Sequence, residues 1–381
     1  MRRFLSSGLA LLLSANLTAA CTFCGGDLRS QQTLRMHFAS AKAVLHGKLN
    51  NPRFDPKTDQ GFTDLQIGSI LKDDPARGNQ GAITLRSYLP VVGNTPPEYL
   101  IFCGVANGRL DATFGVPATN AVVDYLKGAA KLDDSDPAAR LGYFFRYLDS
   151  PDETVAADAF IEFARATDSE ILKAAKHIDA AKVRKLLVDS KTPPERIGVF
   201  AFLLGMSGGR SDAAFLLQQL QQRPLPQRTA NAYGGILAGY VLLDPHNGWN
   251  LTATIMASDK EPFSTRLSAI GTVRFFQASR GSDCKAEVLK CCAALLPHGD
   301  LADQAIEDLR RWGYWDLTNE VLAQFDKPTH SAPIVKRAIV RYALCCKDDA
   351  SNKFIAALRQ SDPKLLKSVE ETLELYAPVK K

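Results

Sequence analysis

Ser207 lies in the segment Gly205-Met206-Ser207-Gly208-Gly209, which has the Gly-x-Ser-x-Gly form of a nucleophile elbow. In hydrolases with this motif, a strand enters the turn and a helix leaves it, so that the serine is exposed for attack. Three histidines follow in the order that such enzymes use: His246, His298 and His330. The run from 193 to 204 instead has helical spacing and a proline start, which predicts a helix end at Ser207. A serine hydrolase using Ser207 is therefore the alternative.

Cys21 and Cys24 form a Cys-x-x-Cys pair, and Cys103 lies in a predicted strand. A redox pair of this kind needs a preceding strand and a helix N-terminus that lower the thiolate pKa, and haem attachment needs a histidine where Gly25 stands. We therefore predict a disulfide between Cys24, or Cys21, and Cys103, which would add about 2–4 kcal/mol of stability. Lipidation of Cys21 is the alternative, because Leu17 to Cys21 forms an imperfect lipobox.

The other five cysteines lie on predicted helices: Cys284, Cys291, Cys292, Cys345 and Cys346. Cys284 and Cys291 are about 10 Å apart along one helix, too far for a disulfide. We expect all five to be buried free thiols that act as small apolar side chains. His298 lies near Cys292, but no further ligand spacing completes a metal set. We expect no catalytic residue, metal or cofactor in this chain.

The first 20 residues have the pattern of an export signal. Arg2 and Arg3 form a basic start, Leu5 to Leu13 form an uncharged apolar centre, and Thr18-Ala19-Ala20 supplies small residues for cleavage. The apolar centre is shorter than the roughly 20 residues that span a bilayer. We expect a mature chain that begins at Cys21 and is periplasmic or secreted, with membrane attachment only through a lipidated Cys21.

Composition excludes some partners. The chain has 381 residues, of which 46% are hydrophobic and 23% charged, as in ordinary globular proteins long enough for two domains. The net charge of +5 is spread thinly, and its basic clusters, such as 182–185 and 380–381, are short. A nucleic-acid surface needs a concentrated basic stripe with interleaved aromatic residues. We therefore expect no nucleic acid partner.

Residues 38–110 contain short β-branched and aromatic runs bounded by turn residues, which predict five or six strands. The clearest runs are Ala43 to Leu49, Thr63 to Leu71, Ala82 to Leu89 and Tyr99 to Val105. Asn107-Gly108 predicts a tight hairpin turn, because both residues accept positive φ. A helix over 119–131 then closes a first domain at 21–132.

From 133 to 381 the apolar period is helical. Five prolines are 33, 36, 35 and 36 residues apart, and four of them precede an arginine by two to four positions: Pro193, Pro226, Pro262, Pro297 and Pro333, with Arg196, Arg228, Arg266 and Arg337. Proline is favoured at a helix start, so each interval should hold two helices. Such a period is typical of an α-solenoid of about six units, and an ordinary helical bundle is the alternative. The aromatic group Trp312, Tyr314 and Trp315 is expected to fill a core.

The strand half resembles the OB-like barrel of the netrin and tissue-inhibitor-of-metalloproteinase families over 21–131. The resemblance rests on the N-terminal cysteine and on three segments: AKAVLHGKL (41–49), TDLQIGSILKDD (63–74) and EYLIFCG (98–104). In the inhibitors, the first cysteine chelates the zinc of a protease and a second cysteine follows two positions later. Cys21 matches the first position, whereas Cys24 comes three positions on. The resemblance implies metalloprotease inhibition through Cys21 as a further alternative.

The helical half looks like HEAT repeats over 133–375, on the proline and arginine spacing given above. The fold class we expect is therefore multidomain, with a small all-β OB-like barrel followed by an all-α HEAT-like solenoid. Solenoids present extended surfaces that hold partners through many contacts. We expect an exported, non-enzymatic binding or scaffold protein whose partners are proteins.

Overall fold

A computed structural model of the protein describes residues 30–91 and 95–375. The predicted signal peptide over 1–20, together with Cys21 and Cys24, lies outside these residues. Export, lipidation, zinc chelation through Cys21 and the bond to Cys103 therefore stay predictions.

Five antiparallel strands form one sheet in the order β3-β2-β1-β4-β5. They are β1 (Ala43–Asp55), β2 (Gln60–Lys72), β3 (Ala82–Leu85), β4 (Glu98–Ala106) and β5 (Arg109–Pro117). Asn107 and Gly108 have φ of 52° and 73° in the β4–β5 turn, which confirms the predicted hairpin. β3 ends four residues earlier than predicted, because the Thr63 hydroxyl accepts from the Leu89 N–H and donates to the Ser87 carbonyl.

The two faces of the sheet enter different cores. Val44 and Phe102 pack with helix α1 (Leu34–Ser40), helix α2 (Asn120–Ala129) and the helical part of the chain in one continuous core. Leu45 and Cys103 belong to a smaller core on the opposite face. The strand region is thus covered on one side by the helices that flank it in sequence.

Helix α2 confirms the predicted helix at 119–131, and Thr119 caps it by accepting from the Val122 N–H. Helix α1 is an addition to the expected elements. Thr33 caps its start, and the Lys72 ammonium donates to the Phe38, Ala39 and Ala41 carbonyls at its end. A lysine at a helix C-terminus satisfies carbonyls that have no partner within the helix.

The chain after 133 is helical as predicted, and its described residues add no strand to the sheet. The helices are α3 (Pro137–Phe145), α4 (Glu153–Arg165), α5 (Asp168–Ala174), α6 (Ala180–Val188), α7 (Pro194–Ser207), α8 (Arg210–Gln221), α9 (Gln227–Leu243), α10 (Pro245–Met256), α11 (Phe263–Arg280), α12 (Lys285–Leu295), α13 (Ala302–Trp312), α14 (Thr318–Leu322), α15 (Pro333–Cys346), α16 (Asp349–Ser361) and α17 (Pro363–Leu375). Among the described helices, none is both long and apolar enough to cross a membrane.

Alternate helices form a row. Helices α7, α9, α11, α13 and α15 each contact the next member, and α8, α10, α12 and α14 follow them one by one in the chain. Pro193, Pro226 and Pro262 directly precede three of these helices, and Pro333 is the first residue of α15. The prediction is wrong for Pro297, since α13 begins only at Ala302, after a turn in which Leu301 donates to the His298 carbonyl. Each proline interval holds two helices, as expected.

Helices α7 and α9 touch through their backbones. A Cβ atom at Gly239 of α9 would overlap the carbonyl oxygen of Ala201 on α7, and one at Gly235 would overlap that of Gly198. Both helices are apolar nearly all round and almost completely buried. Glycine at these positions allows an approach that larger residues would block.

Asp158 joins three elements in the main core. On α4, its carboxylate accepts at 2.7 Å from the Leu34 N–H of α1 and at 2.7 Å from the Tyr125 hydroxyl of α2. Burial raises the pKa of Asp158 to about 6, and Glu162 adds to the rise, while the two hydrogen bonds and Arg35 oppose it. The same residue therefore fixes the two helices that cover the sheet against the first long helix of the helical part.

Replacing Gly239 by alanine should lower the free energy of unfolding by about 1–3 kcal/mol, because the added methyl group has no space beside Ala201. Gly271 in α11 is the matched control. A Cβ there meets nothing within 4 Å, so Gly271→Ala should raise stability by up to about 1 kcal/mol through helix propensity. Urea denaturation of both variants tests this, and a Gly239→Ala protein as stable as wild type would contradict it.

The Asp158 pKa predicts a pH dependence. Since that pKa is near 6 in the folded protein and about 4 when unfolded, the folded state binds more protons between these values. The stability of wild type relative to Asp158→Asn should then fall as the pH rises from about 4 to about 6, and stay constant above. Denaturation of both proteins from pH 4 to 7.5 measures the difference, and a difference that rises with pH would refute the assignment.

Candidate functional site

Ser207 is the last residue of α7, and α8 begins three residues later. Its hydroxyl donates to the Leu203 carbonyl at 2.9 Å, one turn back in its own helix. A helix thus enters the Gly-x-Ser-x-Gly segment where a nucleophile elbow requires a strand. The helix ends as predicted, and it does so without a positive φ, since Gly208 has φ −85°. Glycine is needed there for space, because a Cβ would lie 2.7 Å from the Leu204 carbonyl oxygen.

The three downstream histidines bond elsewhere. His246 contacts Asn250 at 3.3 Å, the His298 ring nitrogen is 2.7 Å from an Asp259 oxygen, and buried His330 bonds the Leu296 carbonyl at 2.8 Å. The hydrogen bond of Ser207 remains within α7, so none of these rings is its base. The arrangement that a serine hydrolase needs is not assembled around Ser207.

His46 has polar neighbours that its sequence context did not indicate. Its Nδ1 lies 3.4 Å from the Ser69 hydroxyl and its Nε2 lies 3.2 Å from a Glu98 oxygen. His46 is on β1, Ser69 on β2 and Glu98 on β4, and β1 pairs with both of the other strands. We interpret the group as a cross-strand polar cluster.

Cys103 is buried in the smaller core, and burial raises the pKa of its thiol to about 11. A disulfide to Cys21 or Cys24 would require the N-terminal segment to reach this core. The described chain begins on the other side of the sheet, where Arg165 of α4 donates to the Gln31 carbonyl. Cys21 and Cys24 lie outside the described residues, so the predicted disulfide stays a prediction.

The helical cysteines are free thiols, three of them fully buried and Cys345 and Cys346 half-buried. Burial raises the pKa of Cys291 to about 12, which makes it unreactive. Trp312, Tyr314 and Trp315 are half-buried and pack against the main core, Trp315 edge-on to Tyr342 at 4.9 Å. Within residues 30–91 and 95–375, His, Cys, Asp and Glu side chains form no group of three that could hold a metal ion.

One exposed surface combines apolar and cationic side chains. Along each of three adjacent helices, residues three, four or seven positions apart lie on one side of the helix. We call the surface that they form the α11–α13–α15 face. Its members are Phe263, Leu267 and Arg274 on α11; Gln304, Glu307 and Arg311 on α13; and Ile334, Arg337 and Arg341 on α15. Six of these line a cavity of about 560 Å³, which Thr372 and Leu373 of α17 border. The exposed fractions of Phe263 and Ile334 are 51% and 58%, high for large apolar residues.

The carboxylates of this face lie beneath its arginines. Buried Asp308 accepts from Arg274 at 2.6 Å, and Glu307 accepts from both Arg310 and Arg341. Burial raises the pKa of Asp308, while Arg274 opposes that rise. The Arg311 side chain is 64% exposed, and its nearest guanidinium nitrogen is as far as 3.9 Å from an Asp308 oxygen. Arg337 is also exposed. The outer layer of the face is therefore cationic.

The sequence indicated only Arg337 of this face. The exposed pair Phe263 and Leu267 could have been predicted from the sequence. The two residues are four positions apart, so they form a second apolar stripe on α11, on the side away from its buried residues. Assigning that stripe to solvent, however, requires knowing which side of α11 its neighbours cover.

The chain matches no protein-family model, and no curated protein matches it.

Replacing Ser207 by alanine should change the free energy of unfolding by no more than about 0.5 kcal/mol, because its hydroxyl serves only its own helix. A fluorophosphonate probe, which labels activated serines, should not modify the wild-type protein. Mass spectrometry of the probe-treated protein checks this. Labelling at Ser207 that disappears in Ser207→Ala would restore the hydrolase alternative.

Proposed function

We propose that the protein is an exported, non-enzymatic binding or scaffold protein that holds a partner protein on the α11–α13–α15 face. The observation that carries the proposal is the exposure of Phe263, Leu267 and Ile334. Ile334 lines the cavity together with four arginines: Arg274, Arg310, Arg311 and Arg341. Aromatic residues and arginine are enriched in protein interfaces, and exposed apolar groups gain most when a partner covers them.

The partner should present acidic side chains around an apolar centre. Arg311 and Arg337 lie outermost, whereas the carboxylates that could repel an acidic partner are buried under other arginines. Opposite charge across an interface accelerates association and selects partners. A basic partner would meet the same arginines unfavourably.

We further propose that the helical part is a HEAT-like solenoid. Three ion pairs at a separation of 34 residues support this: Arg266–Asp300, Arg274–Asp308 and Glu307–Arg341. Because the separation is constant, each helix of the row pairs with the next one in the same register, as in stacked repeat units. The open surface of such a stack suits an extended interface.

For the strand region we propose an OB-like barrel. The strand order leaves β3 and β5 as edges, and these two strands approach each other to within 8 Å between Cα atoms. Closure of a sheet through its edges removes the unpaired strands that promote aggregation. Export through residues 1–20 and a disulfide at Cys103 belong to this proposal, and inhibition of a metalloprotease through Cys21 is its alternative.

The test uses a photo-crosslinking residue at position 267 or, as control, at position 188. Val188 on α6 is 63% exposed and lies outside the face. Position 267 should crosslink an acidic protein from the native extracytoplasmic fraction, and position 188 should not.

The charge-reversed double variant Arg311→Glu, Arg337→Glu should weaken that capture at least tenfold, because the cationic outer layer is lost. Circular dichroism should show that it stays folded. Equal capture by the folded double variant, or equal crosslinking from position 188, would refute the assignment of this face.

A further inference from the structure

The arginines that follow the prolines serve contacts between neighbouring units. Arg228 donates to three carbonyls at the end of α6 and just after it, those of Leu187, Asp189 and Ser190. Arg266 donates to both carboxylate oxygens of Asp300, at 3.1 and 2.5 Å. In each case both terminal guanidinium nitrogens donate to acceptors, although the buried Nε of Arg266 has no partner among the described residues.

Arg196 is different. Its guanidinium lies over the Phe160 ring at 5.1 Å, and among the described residues no carboxylate or carbonyl accepts a hydrogen bond from it. Burial lowers its pKa, and only the adjacent Glu195 opposes that change. A half-buried cation with unused donors costs free energy unless solvent or a ligand satisfies it.

Arg196 lines a cavity of about 740 Å³ between α4 and the start of α7. Half of the lining residues are apolar, among them Leu148, Pro151, Leu186 and Phe200, and the other half are polar or charged. The wall formed by the end of α6 and the loop after it is fixed by two sets of hydrogen bonds. The Thr192 hydroxyl donates to the Leu186 carbonyl at 2.7 Å, and Arg228 donates to the carbonyls of Leu187, Asp189 and Ser190. A space of this size that combines apolar side chains with a few convergent polar groups can hold a small molecule.

We propose that this cavity binds a small organic carboxylate with an apolar body, whose two oxygens accept from the Arg196 guanidinium. A planar fork matches a carboxylate in a bidentate arrangement, and the ring of Phe160 holds the other side of the guanidinium. The apolar part of the ligand would lie against the walls.

The surrounding charges favour a single negative charge. Three carboxylates border the cavity: Asp149, Glu153 and Asp189. Asp149 pairs with the Lys182 ammonium, whereas Asp189 accepts only from the backbone N–H of Lys191, so one of the three charges is partly neutralised. Two cationic residues, Arg196 and Lys191, thus face three carboxylates, so a dianion such as phosphate would meet more repulsion here than a monoanion.

The experiment is isothermal titration of the full chain with 3-phenylpropionate and with 3-phenylpropanamide, which has nearly the same shape without the charge. Wild type should bind the acid at least tenfold more tightly than the amide, as expected for a charge-assisted hydrogen bond in a half-buried site. Arg196→Gln should remove that preference. Arg210→Gln, at an exposed arginine of α8 that lies outside this cavity and outside the α11–α13–α15 face, should retain it.

Arg196→Lys keeps the charge without the fork and should show an intermediate preference. Circular dichroism and thermal unfolding identify any variant that fails to fold, and the comparison of acid with amide on wild type alone tests the site in that case. The proposal is overturned if wild type does not distinguish acid from amide, or if folded Arg196→Gln still prefers the acid.

Discussion

The backbone contact between α7 and α9 is the constraint on which most of the helical part depends. Glycine at 235 and 239 lets α9 lie directly on α7, and α9 in turn contacts α8, α10 and α11. Gly248 of α10 repeats the device, since a Cβ there would be 2.6 Å from the Val241 Cα. Because interiors are packed as densely as crystals, a shift of α9 must displace its neighbours. The position of α11, and with it the proposed binding face, follows from these glycines.

Cations connect the units that this contact brings together. The same region of successive helices carries Arg196, Arg228 and Arg266, yet their partners are an aromatic ring, three carbonyls and a carboxylate. In the last unit Lys336 replaces the arginine in this role, donating to the Phe325 carbonyl and lying over its ring, while Arg337 is exposed. A long cationic side chain can reach any acceptor that the previous unit presents, so the residue type is retained although the contact changes.

Local signals allowed much of the architecture to be predicted. Asn107-Gly108 specifies its turn through φ alone, and Pro226 or Pro333 marks a helix start because proline fixes the first turn. The same prediction was wrong for Pro297, because the restricted φ of proline is also compatible with a loop. The end of β3 could not be foreseen either, because it depends on the Thr63 hydroxyl, which is distant in sequence. The candidate surfaces are set by packing between helices, which no single segment encodes.

Ser207 and Arg196 show why a motif located one and missed the other. Both are polar residues near the ends of α7, and the sequence pattern singled out Ser207 as a possible nucleophile. The Ser207 hydroxyl is satisfied by its own helix, whereas the donors of Arg196 have no acceptor among the described residues and border a cavity. A guanidinium that stacks on an aromatic ring and borders a cavity presents its remaining donors to a ligand in a fixed orientation. That property depends on what surrounds a residue in three dimensions, so it is visible only once neighbouring units are in place.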